Sequence, residues 1–166
     1  MNIENQLDPK WSKWYLGKSK TSKFKDYACL LFCFTYIYSI KENMQVSPKY
    51  VDKLFTDNNV YFSATKGGPA DLINSKRACE VLGLQYFGVE TDINKAPNWH
   101  PSIKRVDYSA APGKQYHFVI REVIDGKRVI KDPIGGVVRD INYYEKKVGD
   151  TAWVKDHGFE YRLVKI

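Results

Sequence analysis

The residues of this 166-residue chain best suited to chemistry are a cysteine at the start of an apolar run and a histidine and an aspartate far downstream. Cys29 and Cys33 lie four apart in KDYACLLFCFTYIYSI, residues 25–40. A helix that begins just before Cys29 puts that thiol where backbone N–H groups are unpaired and the helix dipole is positive. Both favour the thiolate, the reactive form. Cys33 is one turn deeper and reads as structural. Downstream, QYHFVIREVI, then Asp125-Gly126, then KRVIKDP reads as a hairpin closed by a two-residue turn. That turn pairs Ile124 with Lys127 and sets Val119 opposite Asp132. Side chains alternate along a strand, so His117 shares the face of Val119 and becomes the diagonal neighbour of Asp132. Such neighbours lie about 7–8 Å apart at the backbone, within reach of a His–carboxylate hydrogen bond. The carboxylate then fixes one imidazole tautomer and stabilises its charged form. Cysteine, histidine and aspartate in this order suit a Cys–His–Asp hydrolase: nucleophile, proton carrier and orienter.

Several elements must position these residues. Asp26 can cap a helix running from about residue 27 to about residue 42. The helix is apolar on all sides, which predicts burial in the middle of the fold. SPKYVDKLFTDN reads as a second helix with Ser47 as cap and Pro48 in its first turn. DLINSKRACEVLG reads as a third, with Leu72, Cys79 and Leu82 on one face and Gly83 ending it. Residues 5–24 read as irregular, anchored by Trp11, Trp14, Tyr15 and Leu16. ATKGGPADL and APNWHPS read as loops and LQYFGVE as a strand. TAWVKDHGFEYRLVKI holds one or two final strands. Helices come first and strands follow, which predicts an α+β fold with an antiparallel sheet, in one domain over residues 1–166.

Plainer roles stand beside the chemical ones. Cys29 could be a small core residue, as Cys79 is expected to be. Asp132, followed by Pro133, Gly135 and Gly136, could simply start a turn. His100 reads as a loop residue and His157, in KDHGF, as part of a turn. No CxxC or HExxH motif accompanies Cys29 and Cys33, so neither a metal nor an organic cofactor is expected. A chain with 43% hydrophobic and 14% aromatic residues is a folded protein rather than a disordered one. Three cysteines, an odd number, argue against a secreted disulfide scaffold and for a reducing compartment. The polar N-terminus MNIENQLDPK carries no secretory signal, and the longest apolar stretch, residues 28–38, is too short to span a bilayer. The net charge of +7 favours anionic partners, but no nucleic-acid motif accompanies it. A monomer is expected.

These residues and their order resemble the papain-like cysteine peptidases, in the branch related to double-glycine leader (bacteriocin-processing) peptidases. Stand-alone members open with Gln-x-Asp-x-x-Trp, then Leu-Gly, then Tyr-Gly-Cys leading into an apolar helix. Here the counterparts are NQLDPKWSKWYLGKS and DYACLLFC. SPKYVDKLF is similar to the family's next helix, and YHFVIREV with KDPIGG to its His-Phe-Val strand and Asp-Pro-Gly turn. The resemblance spans nearly the whole chain. It implies a papain-like fold, with N-terminal helices and a buried central helix packed on a C-terminal antiparallel sheet. It implies Cys29 as nucleophile, His117 as general base and then acid, and Asp132 as orienter. Gln6 matches the family's early glutamine, which donates to the oxyanion together with the backbone N–H of Cys29. Gln115 is a rival polar residue near His117. Ala28 stands where the family carries glycine, so a positive φ there would strain the site.

The stand-alone organisation is similar to domains of bacterial and phage cell-wall lytic proteins. That implies a peptidoglycan endopeptidase or amidase, made in a reducing cytoplasm and released to act on the wall. One alternative is a protease acting on a polypeptide, either a leader or a host protein. Another is a catalytically degenerate basic module that binds protein or nucleic acid.

Overall fold

A computed structural model describes residues 1–62, 72–84, 86, 101–107, 116–140 and 156–162. A 3-10 turn, Pro9–Trp11, precedes helices α1 (Phe24–Tyr27), α2 (Cys29–Lys41), α3 (Pro48–Asp57) and α4 (Ser75–Leu82). Strands β1 (Tyr61–Phe62) and β2 (Leu72–Ile73) form a small antiparallel pair between α3 and α4. The later strands are β3 (Ser102–Asp107), β4 (Tyr116–Ile124), β5 (Lys127–Asp132), β6 (Val137–Asp140) and β7 (Asp156–Arg162). They form one antiparallel sheet in the order β6-β5-β4-β3-β7. The expected α+β class with an antiparallel sheet is what the chain forms.

The centre of the fold is α2. Ten of its thirteen residues are buried, as an all-round apolar sequence requires. Its two hydroxyls that have no apolar role are satisfied internally. Thr35 Oγ1 donates to the Leu31 carbonyl and Ser39 Oγ to the Thr35 carbonyl, each at 2.8 Å. The helix packs against α1 and α3 and against β4 and β3. Phe32 meets Trp11 and Phe24 with ring centroids 5.8 and 6.0 Å apart, which tacks the irregular N-terminal segment onto the helix. Trp11 and Leu16 are the buried anchors of that segment; Trp14 is exposed, with Lys49 Nζ 3.7 Å from its ring centroid. Farther along α2, Tyr36 donates to Glu122 Oε2 at 2.7 Å, and Lys131 Nζ reaches both Tyr36 Oη at 2.5 Å and Glu122 at 3.0 Å. This buried network bolts α2 to the β4–β5 hairpin and fixes where the helix start lies along the strands.

Four expectations need correction. Asp26 does not cap the long helix. The chain forms a separate turn, α1, breaks at Ala28, and restarts at Cys29 with no side-chain cap. The third helix starts later than expected, at Ser75, capped by the Asn74 side chain. Leu72 is in β2, drawn into pairing with Phe62. Strands β3 and β6 were not foreseen, because SIKRVD and VVRD carry charges where a strand would show apolar alternation. His157 lies within β7 rather than in a turn. Most of LQYFGVE, and the positions of His100 and Gln115, lie outside the described residues.

The expected features of α3 are present. Ser47 Oγ accepts from the Lys49 N–H at 3.3 Å and Pro48 opens the helix. Gly83 ends α4 at φ 62°, and Cys79 is fully buried in the core. Among the described residues no helix is long and apolar enough to cross a membrane.

Candidate active site

The β4–β5 hairpin brings two of the residues together. Asp125 and Gly126 both adopt positive φ, 50° and 74°, the conformation a tight two-residue turn needs. The ladder runs from Ile124↔Lys127 to Ile120↔Lys131, so the next step sets Val119 opposite Asp132. His117 and Asp132 are then diagonal neighbours, and His117 Nε2 lies 2.7 Å from Asp132 Oδ1. Both are buried, at 3% and 0% exposure. An ionised carboxylate can only accept, so Nε2 carries the hydrogen.

Asp132 has further donors. Its Oδ1 also accepts from the Ile134 N–H at 2.8 Å, closing an Asx turn, and its Oδ2 accepts from Arg139 Nε at 3.2 Å. The turn role and the pairing with His117 are therefore both real, and one serves the other. The carboxylate is held by its own backbone while it faces the imidazole.

Cys29 completes the line. It is the first residue of α2, 8% exposed, and its side chain interacts with His117 closely enough to raise the imidazole's pKa. With Nε2 on Asp132, an interaction of the ring with the sulfur would use Nδ1. Ala28, the residue that departs from the family pattern, has φ −91° and ψ 8°. The φ is negative, so the left-handed strain that would call for glycine does not arise there.

The break between α1 and α2 has a local cause. In a continuous helix the Lys25 carbonyl would accept the Cys29 N–H. It accepts Gln6 Nε2 at 2.9 Å instead. The Cys29 N–H has no backbone acceptor among the described residues. Gln6 is 2% exposed and spends one of its two amide hydrogens on Lys25; its Oε1 has no partner among the described residues.

Gln6 itself is seated by the turn after Asp132. Its N–H donates to the Pro133 carbonyl at 2.8 Å, and the Gly135 N–H donates to Asn5 Oδ1 at 3.0 Å. Gly136, at φ +60°, leaves room for this strap, since a Cβ there would come within 3.0 Å of the Asn5 nitrogen. One five-residue turn thus holds both the Asp132 carboxylate and the glutamine.

The thiols differ in setting. Burial pushes the Cys33 thiol well up, helped by Cys29 and Asp132, and burial raises Cys79 to about 12. Both are fully buried and stay protonated. Among the described residues no group of three or more His, Cys, Asp or Glu side chains could hold a metal.

Burial lowers the pKa of His117, but the hydrogen bonds to Asp132 and Cys29 and their charges outweigh it and raise it to about 9. The folded state therefore binds this proton more tightly than the unfolded chain, whose ordinary value is 6.5. The resulting stability is complete below about pH 6.5 and is lost as pH rises through about 9. It amounts to about 3 kcal/mol at most. Urea unfolding at pH 6 and pH 10 is expected to show this fall, and His117→Gln to remove most of it. An equal fall in the variant would assign the pH dependence to other groups.

Arg139, the Ile134 N–H and the Lys25 carbonyl belong to this site and carry no sequence signal of their own. They follow from pairings set by the tertiary fold. Comparison with family models, with curated proteins and with solved structures returns no match for this chain.

Proposed function

We propose that the protein is a papain-like cysteine hydrolase that cleaves a peptide or amide bond through Cys29, His117 and Asp132. The observation that carries this reading is the buried His117–Asp132 hydrogen bond with the thiol at the start of the central helix beside it, close enough to raise the pKa of His117. A hydrophobic core needs no such arrangement, and three polar side chains assembled from α2, β4 and β5 suit nucleophilic chemistry.

Near neutral pH His117 carries a proton and the Cys29 sulfur is the nucleophile. Sγ attacks the substrate carbonyl carbon and forms a C–S bond while the carbonyl oxygen becomes an oxyanion. The Cys29 N–H, left out of the helix ladder, and the second Gln6 Nε2 hydrogen are the donors available to it. His117 gives its proton to the leaving nitrogen as the C–N bond breaks, leaving a thioester. Water then attacks, giving a proton to His117; the C–S bond breaks and the carboxylic product leaves. Asp132 keeps Nε2 protonated throughout, which holds Nδ1 toward sulfur.

The resemblance to wall-lytic domains and the net charge of +7 support peptidoglycan as the substrate. The test is incubation with purified peptidoglycan, and separately with casein, followed by mass spectrometry of the products. New amine and carboxyl ends in the stem peptides or at the lactyl amide support a wall hydrolase. Cleavage of casein alone would replace that substrate with a polypeptide. Intact substrates in both would contradict the hydrolase reading and leave a binding module.

A further inference from the structure

We propose that Arg139 is a positioning residue that clamps Asp132 so that its other oxygen stays aimed at His117. This rests on the Cys–His–Asp reading of the site. The register supports it. In β5–β6 pairing Asp132 is opposite Val137 and Ile130 is opposite Arg139, so Arg139 is a diagonal neighbour of Asp132 on the same face. His117 holds the mirrored diagonal position on β4. Three adjacent strands therefore present His117, Asp132 and Arg139 as one row across the sheet, with the carboxylate in the middle.

The two carboxylate oxygens divide the work. Oδ1 takes His117 Nε2 at 2.7 Å and the Ile134 N–H at 2.8 Å, and Oδ2 takes Arg139 Nε at 3.2 Å. The terminal torsion of an aspartate is soft, so a carboxylate anchored through one oxygen can swing. Anchoring the second oxygen removes that freedom. The guanidinium, a quarter exposed on its side chain, also offsets part of the carboxylate charge that His117 feels. Among side chains that are described, the other ionisable groups near this row are Cys29 and Cys33 from α2. Lys104 on β3 and Arg121 on β4 share its face by register.

The test reads the imidazole directly. His117 is titrated by NMR in the unsubstituted protein and in Arg139→Gln and Arg139→Lys, with iodoacetamide labelling of Cys29 measured in each. Arg139→Gln is expected to move the His117 titration upward by about half to one pH unit, since the carboxylate charge is no longer offset. It is also expected to slow Cys29 labelling about tenfold at pH 7, as the line loosens. Arg139→Lys, which keeps the charge, is expected to hold the titration and to stay within about threefold in labelling. An unmoved titration in Arg139→Gln, or a lysine variant as impaired as the glutamine one, would overturn the proposal. Should Arg139→Gln not fold, the unsubstituted protein still decides the matter. The Arg139 Nε–H is expected to exchange with solvent at least about tenfold more slowly than that of exposed Arg128, and equal exchange would overturn the clamp. Slow labelling of Cys29 in the unsubstituted protein would instead count against the hydrolase reading, while the titration and exchange results still judge the clamp.

Discussion

Cys29→Ala is expected to lower hydrolysis by at least about a thousandfold while leaving the fold intact, because the proposed mechanism uses Cys29 as its nucleophile. Cys29 is a small side chain at the edge of the core, and alanine keeps the helix start. Cys33→Ala is the matched control. Cys33 lies one turn deeper, fully buried and held protonated by that burial. Its replacement is expected to cost about 1 kcal/mol of stability through a small cavity, with turnover within a few fold of the unsubstituted protein. Steady-state rates on the substrate identified by mass spectrometry, with circular dichroism on both variants, check the pair. Comparable losses in the two would remove the distinction on which Cys29 is chosen.

Asp132→Ala is expected to produce the largest combined loss of stability and rate. The carboxylate is fully buried and accepts from His117, Ile134 and Arg139. Removing it takes a buried acceptor from three donors, two of them able to carry charge, for which a cost of about 3–5 kcal/mol is typical. Without the carboxylate, burial alone governs His117 on that side, so its pKa falls and the imidazole no longer holds the proton at neutral pH. The alkaline limit of the rate profile, set by His117 at about 9 in the unsubstituted protein, is expected to move down. A rate loss of about ten-thousandfold is the scale for a mis-set imidazole. Asp132→Asn is expected to fall between, because an amide oxygen can still accept from Nε2. Urea unfolding and pH–rate profiles of both variants measure this. A stable Asp132→Ala with an unshifted profile would reduce the aspartate to a turn residue.

How much of this was legible in the sequence follows from which contacts are local. The His117–Asp132 pair was readable because Asp125-Gly126 closes a two-residue turn. That turn sets the register of both strands, and the ladder observed is the one the turn dictates. The buried central helix was readable from its unbroken apolar run. The break at Ala28 was not, because alanine is the strongest helix former and the cause is the capture of the Lys25 carbonyl by Gln6, 19 residues before that lysine. Arg139 was hidden for a similar reason. Its approach to Asp132 depends on how β6 pairs across a Pro-Ile-Gly-Gly turn whose geometry is set against Asn5 and Gln6. The interior strand β3 is not legible because Lys104, a charged residue, is buried in it. Sequence periodicity reports solvent contact, and a lysine that the fold covers defeats it.

Under the proposed mechanism Cys29, alone among the three thiols, is presented for chemistry. Timed labelling of the native protein with iodoacetamide at pH 7, read by peptide mass spectrometry, tests it most directly. Cys29 is expected to be carboxamidomethylated at least about a hundredfold faster than Cys33 or Cys79, and His117→Gln to remove most of that difference. Equal, slow labelling of all three cysteines in the folded protein would contradict it.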